Sequence, residues 1–416
     1  MMRTSPILWD IYEEHLAEAA FLWGQWEQAL LASNYTLDEV AAGPEERLLA
    51  HLDGLVLGAQ PVAERLLVPA LSGDDPGASF AAAWSLLQAE HADHFDEVAQ
   101  ALFGAEEPPK RAALARAFEL CPRPDLPERL LPRLTSSPPA LQACLVDAIS
   151  ARGAQATERL PLQTMSTSPD PATLAAVLRA LQRKPDPAMS ALVSASLGCL
   201  DVAQRDAAIE AAVQLQLPGV REQCRRLLEL ETPSPRLPLA YLALHGEARD
   251  QSDLLARLTD ARLAPDVVWA LGFSGSLPAS ERLLALLDDE KLAPLAAEAF
   301  ATISGLPIDG AMRKPGQAAS LFDPFDPDAP VPEVKPEDDL PLPNPAPIRE
   351  WWQSHKSTLD PNLRYVLGRP VDPEATALAL WTGPMWRRRV FRLGLGGEIM
   401  TRLDLRQWAR TQRRNA

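Results

Sequence analysis

Apolar residues recur at i, i+3, i+4 and i+7 through most of this 416-residue chain, the spacing of amphipathic helices with one buried face. The pattern is clearest from Asp266 to Leu306. There Val267 to Leu271 predict a helix that Gly272 ends, and Leu283, Leu284, Leu286 and Leu287 give a second helix a broad apolar face stopped by Asp288-Asp289-Glu290. Leu295, Ala296, Ala299, Phe300 and Ile303 form the face of a third, which stops at Gly305-Leu306-Pro307. Glycine followed by proline is a helix-end signal.

The same alternation runs outward over residues 59–306. Helices centred on Leu66, Val98, Leu130, Leu160, Leu192, Leu227, Leu255 and Leu284 alternate with Ala-rich ones, at steps of about 30 residues. One such pair cannot bury its own apolar faces, and stacking makes the core continuous. The pattern resembles HEAT-like repeats. The expected fold is all-α: a HEAT-like α-solenoid of about eight helix pairs at 59–306, a helical head at 1–58 and a small helical C-terminal module at 350–416. In the head, Ile7, Ile11, Leu16, Ala20, Trp23 and Ala29 predict one stripe of a long helix, broadened by Trp9, Phe21, Trp26 and Leu30. Between 307 and 349, 11 prolines and few apolar residues predict an extended acidic linker, with Phe322 and Phe325 as anchors onto the helical surface.

Composition narrows the function classes. A net charge of −16 argues against a general nucleic-acid binder, which needs clustered Lys and Arg to neutralise phosphates. Forty prolines are about twice average usage, and are expected at helix starts, where a missing N–H costs nothing. Cys121, Cys144, Cys199 and Cys224 sit singly in helical segments, as small apolar residues of a reducing compartment. No apolar run suits a signal peptide or a membrane span, so a cytoplasmic protein without membrane contact is expected.

Motifs that carry chemistry are scarce. The sequence has no phosphate-binding GxxxxGK[ST], no GxGxxG after a strand and no GxSxG elbow, and Gly394, Gly396 and Gly397 read as a loop. His91 and His94, with Asp93 and Asp96, have the spacing of a metal pair on one helix face, but they fall where polar junction residues are expected. No metal, cofactor or catalytic residue is assigned. None of the six histidines precedes a glutamate, which excludes a di-iron HEAT hydroxylase. His51 and Asp53 form either a recognition or acid–base pair, or a device that orients the head against the first helix pair. Trp351, Trp352, Arg364, Arg387 and Arg388, the last two opening a tail with nine arginines, together with His51 and Asp53 are the candidate partner-binding set. Such residues suit a protein partner, or docking onto the chain's own acidic helices, better than nucleic acid.

Two ends of the chain carry a family resemblance. EEHLAEAAFLW (13–23), NYTL (34–37) and ERLLAHLDGL (46–55), with DDLPLPNP (338–345), WWQSH (351–355) and RYVLGRPV (364–371), resemble a family of bacterial HEAT-like proteins over nearly the full length. Genes of that family often sit beside type VI secretion spike and spike-tip genes. The resemblance implies an adaptor or chaperone for a secretion effector or spike-tip protein, and it transfers no active-site residue. WRRRVFRLGLGG (386–397) departs from it, being more basic than the Ala-rich helix expected there. The alternatives are an immunity protein that binds a toxin, a nucleic-acid-processing HEAT-like enzyme, which would need a basic groove, and a tetrapyrrole-handling lyase.

Overall fold

The computed structural model describes residues 7–230, 232–315 and 335–415; Phe322 and Phe325 lie outside them. The chain is mostly helical and its class is all-α. The one strand pair among the described residues is a two-residue hairpin, Tyr365–Val366 (β1) against Arg369–Pro370 (β2). Two compact units form. The first comprises Met1–Leu30, Leu37–Val193 and Met400–Ala416; the second comprises Leu31–Thr36 and Ser194–Ile399. The stretch 350–416, expected as one module, therefore divides between them.

The first unit contains α1 (Trp9–Ala29), α2 (Leu37–Ala42), α3 (Pro44–Leu57), α4 (Pro76–Gln88), α5 (Phe95–Gly104), α6 (Pro108–Leu120), α7 (Leu126–Leu134), α8 (Pro139–Ser150) and α9 (Pro171–Arg183). Helix α1 packs on α3 and α4, α4 on α6, α6 on α8, and α8 on α9. The Ala-rich members of this series are buried nearly all round: Phe80 to Leu87 of α4 and Ala113 to Leu120 of α6 are all inaccessible. A helix flanked by neighbours on opposite sides is built of small and apolar residues around most of its girth, and the charged residues inside the buried run of α6, Arg116 and Glu119, pair with each other. The intervening helices bury a single stripe, Phe95, Val98, Ala99 and Leu102 in α5 and Leu126, Leu130 and Leu134 in α7.

The second unit repeats this alternation with α10 (Val202–Gln214), α11 (Val220–Glu229), α12 (Arg236–His245), α13 (Ala248–Ala256), α14 (Ala264–Leu271), α15 (Leu277–Ala285) and α16 (Ala293–Ser304). Helix α10 packs on α12, α12 on α14, and α14 on α16. It is completed by α17 (Pro345–His355), α18 (Pro373–Thr382) and α19 (Arg388–Leu395). The last helix, α20 (Ala409–Arg414), belongs to the first unit.

Prolines open many of these helices. Asp75, Asp170 and Asp372 precede Pro76, Pro171 and Pro373, and each aspartate accepts a backbone N–H of the first turn, from Gly77, Thr173 and Ala375. Proline at the first position removes an N–H that has no helical partner, and the aspartate satisfies one that remains. The cysteines are free, and burial pushes the Cys144 thiol up to about 11.

The face of α1 differs from the expected stripe. Ala19, Leu22, Trp26 and Ala29 are buried, whereas Phe21 is 61% and Ile11 42% exposed. Gly58, just past the end of α3, lies against Tyr12, so the apolar residues before Tyr12 project beyond α3. Trp23 stacks on Phe80, with ring centroids 4.8 Å apart. At Gly77 the contact of α4 with α1 is closest: a Cβ there would lie 2.6 Å from the Ala20 carbonyl oxygen. Gly77→Ala is expected to cost about 1–3 kcal/mol by forcing the helices apart. Gly104→Ala in α5, where a Cβ meets open space, is expected to be neutral or stabilising. Urea denaturation of the two variants checks the contrast.

Candidate functional site

The aromatic and cationic residues singled out in the sequence converge on the ends and faces of the long helices, and each unit shows how. In the second unit, Arg364 precedes β1 and points at the C-terminal ends of α12 and α14. Its guanidinium donates to the carbonyls of Ala243 (2.5 Å), Leu244 (2.7 Å), Phe273 (3.2 Å) and Ser274 (2.5 Å). The last carbonyls of a helix have no partner within it and carry its negative dipole end, so a planar cation with five N–H donors is well matched to two such ends. Burial lowers the Arg364 pKa from its usual value.

The following backbone continues the same task. The N–H of Tyr365 donates to Gly275 (2.7 Å), that of Leu367 to Thr302 (2.9 Å) and that of Gly368 to Ile303 (2.8 Å). This close approach explains two glycines. Gly275 (φ +66°) and Gly305 (φ +74°) occupy left-handed conformations in which a Cβ would lie 2.6 Å and 2.7 Å from the backbone of Tyr365 and Leu367. RYVLG is thus a lid over three helix ends.

Trp352 of α17 is buried, meets Phe300 edge-to-face and donates its indole N–H to Glu281 at 2.8 Å. Trp351 is half-buried and stacks on His355, with centroids 4.1 Å apart. Arg387 and Arg388 are both buried: Arg387 pairs with Glu298, which also accepts the Trp386 indole N–H at 3.0 Å, and Arg388 donates to the Leu380 carbonyl at 3.1 Å. Burial, aided by the like charge of Arg392, brings the Arg388 pKa down to about 10. Arg389 reaches Glu210 (2.6 Å) and Asp206 (3.4 Å), and Arg392 reaches Glu210 (3.4 Å). Burial raises the Asp206 pKa, against the pull of Arg389 and Arg205.

In the first unit the residues after Met400 behave alike. Trp408 sits on Trp26, with centroids 4.6 Å apart, and donates to the carbonyl of Leu120 at 3.0 Å; Gln407 donates to that of Glu119 at 3.0 Å. Arg406 pairs with Glu119 at 2.9 Å, and that carboxylate raises its pKa above the usual arginine range. Glu45 is fully buried and accepts the backbone N–H groups of Ala409 and Arg410 and the indole N–H of Trp26, so a side chain of α3 satisfies first-turn donors of α20 that its own N-cap residue, Trp408, does not. Burial raises the Glu45 pKa against those three donors.

The remaining sequence candidates lie elsewhere. His51 is half-buried and meets His15 of α1, while Asp53, two positions on, is exposed; the structure does not bring His51 and Asp53 together. His94 is buried and His91 exposed, and Asp93 pairs with Arg123 and Arg129 and Asp96 with Arg133. Among the described residues, no three His, Cys, Asp or Glu side chains are placed to hold a metal ion, and no helix is long and apolar enough to cross a membrane. Glu119, Asp206, Glu210 and Glu298 escaped the sequence reading. Their signal is an acidic residue inside an otherwise apolar Ala-rich run, as in AFELC and AAEAF. Neither a protein-family model nor a curated protein matches the chain.

Chemically the arrangement binds and caps. Its carboxylates are already paired with arginines, indoles or backbone N–H groups. Arg364→Ala is expected to destabilise the second unit by about 2–4 kcal/mol, because four carbonyls lose their donor, with Arg364→Lys recovering only part; guanidinium denaturation reads both. Asp404 supplies a pH test. Burial disfavours its charged form, yet Arg183, the Arg406 N–H and the Arg406 guanidinium outweigh this and hold its carboxyl at about 2. A depressed carboxyl pKa stabilises the fold fully above the unfolded value of 3.8 and loses that contribution as pH falls toward 2. About 2 kcal/mol is expected to disappear over this window, and Asp404→Asn should flatten the acid limb of a stability-versus-pH curve.

Proposed function

We propose that the chain is a non-catalytic protein-binding scaffold, built as a HEAT-like α-solenoid of about eight helix pairs. The observation that carries this reading is the serial packing of Ala-rich helices within each unit, α4 on α6 and α6 on α8 in the first, and α10 on α12, α12 on α14 and α14 on α16 in the second. Such stacks bury a continuous core and leave extended surfaces over which a partner chain can lie. The partner suggested by the resemblance at both ends of the sequence is a type VI secretion effector or spike-tip protein, and the role an adaptor or chaperone in the cytoplasm.

The docked tail refines where a partner engages. Trp352, Arg364, Arg387 and Arg388 already have partners within the fold, so recognition falls to residues that stay accessible, among them Trp351 and the exposed Phe21, Leu57 and Leu230. The same engagement speaks against nucleic acid as the partner. Arg387, Arg389, Arg392 and Arg406 face carboxylates, and an arginine so paired is not free to neutralise phosphate.

Affinity purification of the tagged full-length chain from its native host tests the proposal, followed by reconstitution with the purified partner. Recovery of a secreted effector or spike-tip protein, with direct binding weakened about tenfold or more by Leu57→Asp or Leu230→Asp, is the expected result. A chain that returns alone, or with nucleic acid that survives high salt, overturns it. Deleting Met400 onward is expected to aggregate or unfold the first unit rather than switch off binding selectively, because Leu403, Trp408 and Ala409 are core residues. Circular dichroism and size-exclusion chromatography report that outcome.

A further inference from the structure

His15 of α1 and His51 of α3 place their Nδ1 atoms 3.0 Å apart, with the rings edge-to-face and their centroids at 5.0 Å. The space for this pair is made by Gly54, one turn along α3, where a Cβ would lie 3.0 Å from His15 Nε2. Tyr12 flanks His15 at 6.4 Å between rings. Nδ1 facing Nδ1 is a defined chemical situation. One proton between the rings makes a hydrogen bond, in which one Nδ1 donates and the other accepts. A further proton on the outer nitrogen of the donor ring keeps that bond and makes it charge-assisted. A proton on the acceptor Nδ1 sets N–H against N–H on two cationic rings, and the bond is lost.

We propose that the His15–His51 pair is a proton-operated clasp between α1 and α3, closed while the rings share one proton and opened when both become imidazolium. The charged groups around it are few. Glu14 and Glu18 of α1 favour charging of His51, and Arg47 of α3 and His15 oppose it. Helix α4, which packs on both α1 and α3, carries no ionisable side chain; α2 brings Asp38, held by Arg413 at 2.8 Å, and Glu39. Burial, then His15, lowers the His51 pKa from 6.5. The neutral ring therefore contributes stability that is complete above 6.5 and is lost as pH falls through the lowered value. A metal ion would need a third donor at this place, whereas a proton needs only the two rings.

Hydrogen–deuterium exchange of the full-length chain at about pH 7.5 and about pH 5, corrected for intrinsic rates, reads the clasp directly. Peptides of α1 and α3 are expected to exchange roughly fivefold faster at the lower pH, the order set by losing one net hydrogen bond, while α6 and α8 stay unchanged. His51→Asn retains an amide that bonds to His15 but cannot titrate, and its α1 peptides should show no such acid response. Wild-type exchange that does not change with pH, or an equal acid response in His51→Asn, overturns the proposal. Both chains carry the bond at neutral pH, so the comparison holds even where His51→Ala does not fold.

Discussion

Helices that end side by side leave a row of carbonyl oxygens with no partner, and in this protein the late part of the chain supplies their donors. Arg364 alone covers the ends of α12 and α14, the backbone of Tyr365 to Gly368 covers Gly275 and the end of α16, and Gln407 and Trp408 cover the end of α6. A buried carbonyl left unsatisfied costs about 1–3 kcal/mol, so several in a row would exceed much of a domain's net stability. The hydrophobic stacking of the long helices is therefore only half of the structure. Their ends must also be closed, and the sequence between 364 and 412 does this.

The charges obey the same logic. A chain with a net charge of −16 concentrates nine arginines in its last thirty residues and places four of them, Arg387, Arg389, Arg392 and Arg406, against acids on the long helices. Buried ion pairs add little net stability once desolvation is counted, but a lone buried carboxylate such as Glu298 would be strongly unfavourable. What the pairs specify is register. Glu119, Asp206, Glu210 and Glu298 each accept an arginine at a fixed place, so the tail cannot slide along the helices.

Much of the helical layout was legible in the sequence because it rests on local rules. Apolar spacing with glycine ends located α14 and α16, and apolar spacing with an acidic stop located α15, and these depend on near neighbours. The buried face of α1 was less legible, since Ile11 and Trp26 look equivalent until α3 is seen to stop beside Tyr12. The candidate site was legible by residue type only. Trp352, Arg364 and Arg387 stood out as unusual, yet whether an arginine faces solvent or a helix end 120 residues away is a long-range fact. His15 was invisible as a partner of His51 for the same reason: thirty-six residues separate them.

Glu45 holding the first turn of α20 has a consequence for the order of events during synthesis. The helices it stabilises belong to the first unit, but residues 400–414 leave the ribosome about 200 residues after Val193. Until then Glu45 lacks the two backbone donors of α20, Trp26 lacks its stacked neighbour and the end of α6 is open. The early helices must wait in an unfinished, water-accessible state while the second unit is made. Chain closure of this span is slow for entropic reasons. A nascent-chain chaperone acting on the exposed faces of α1 and α6 would thus meet its substrate for the whole of that interval.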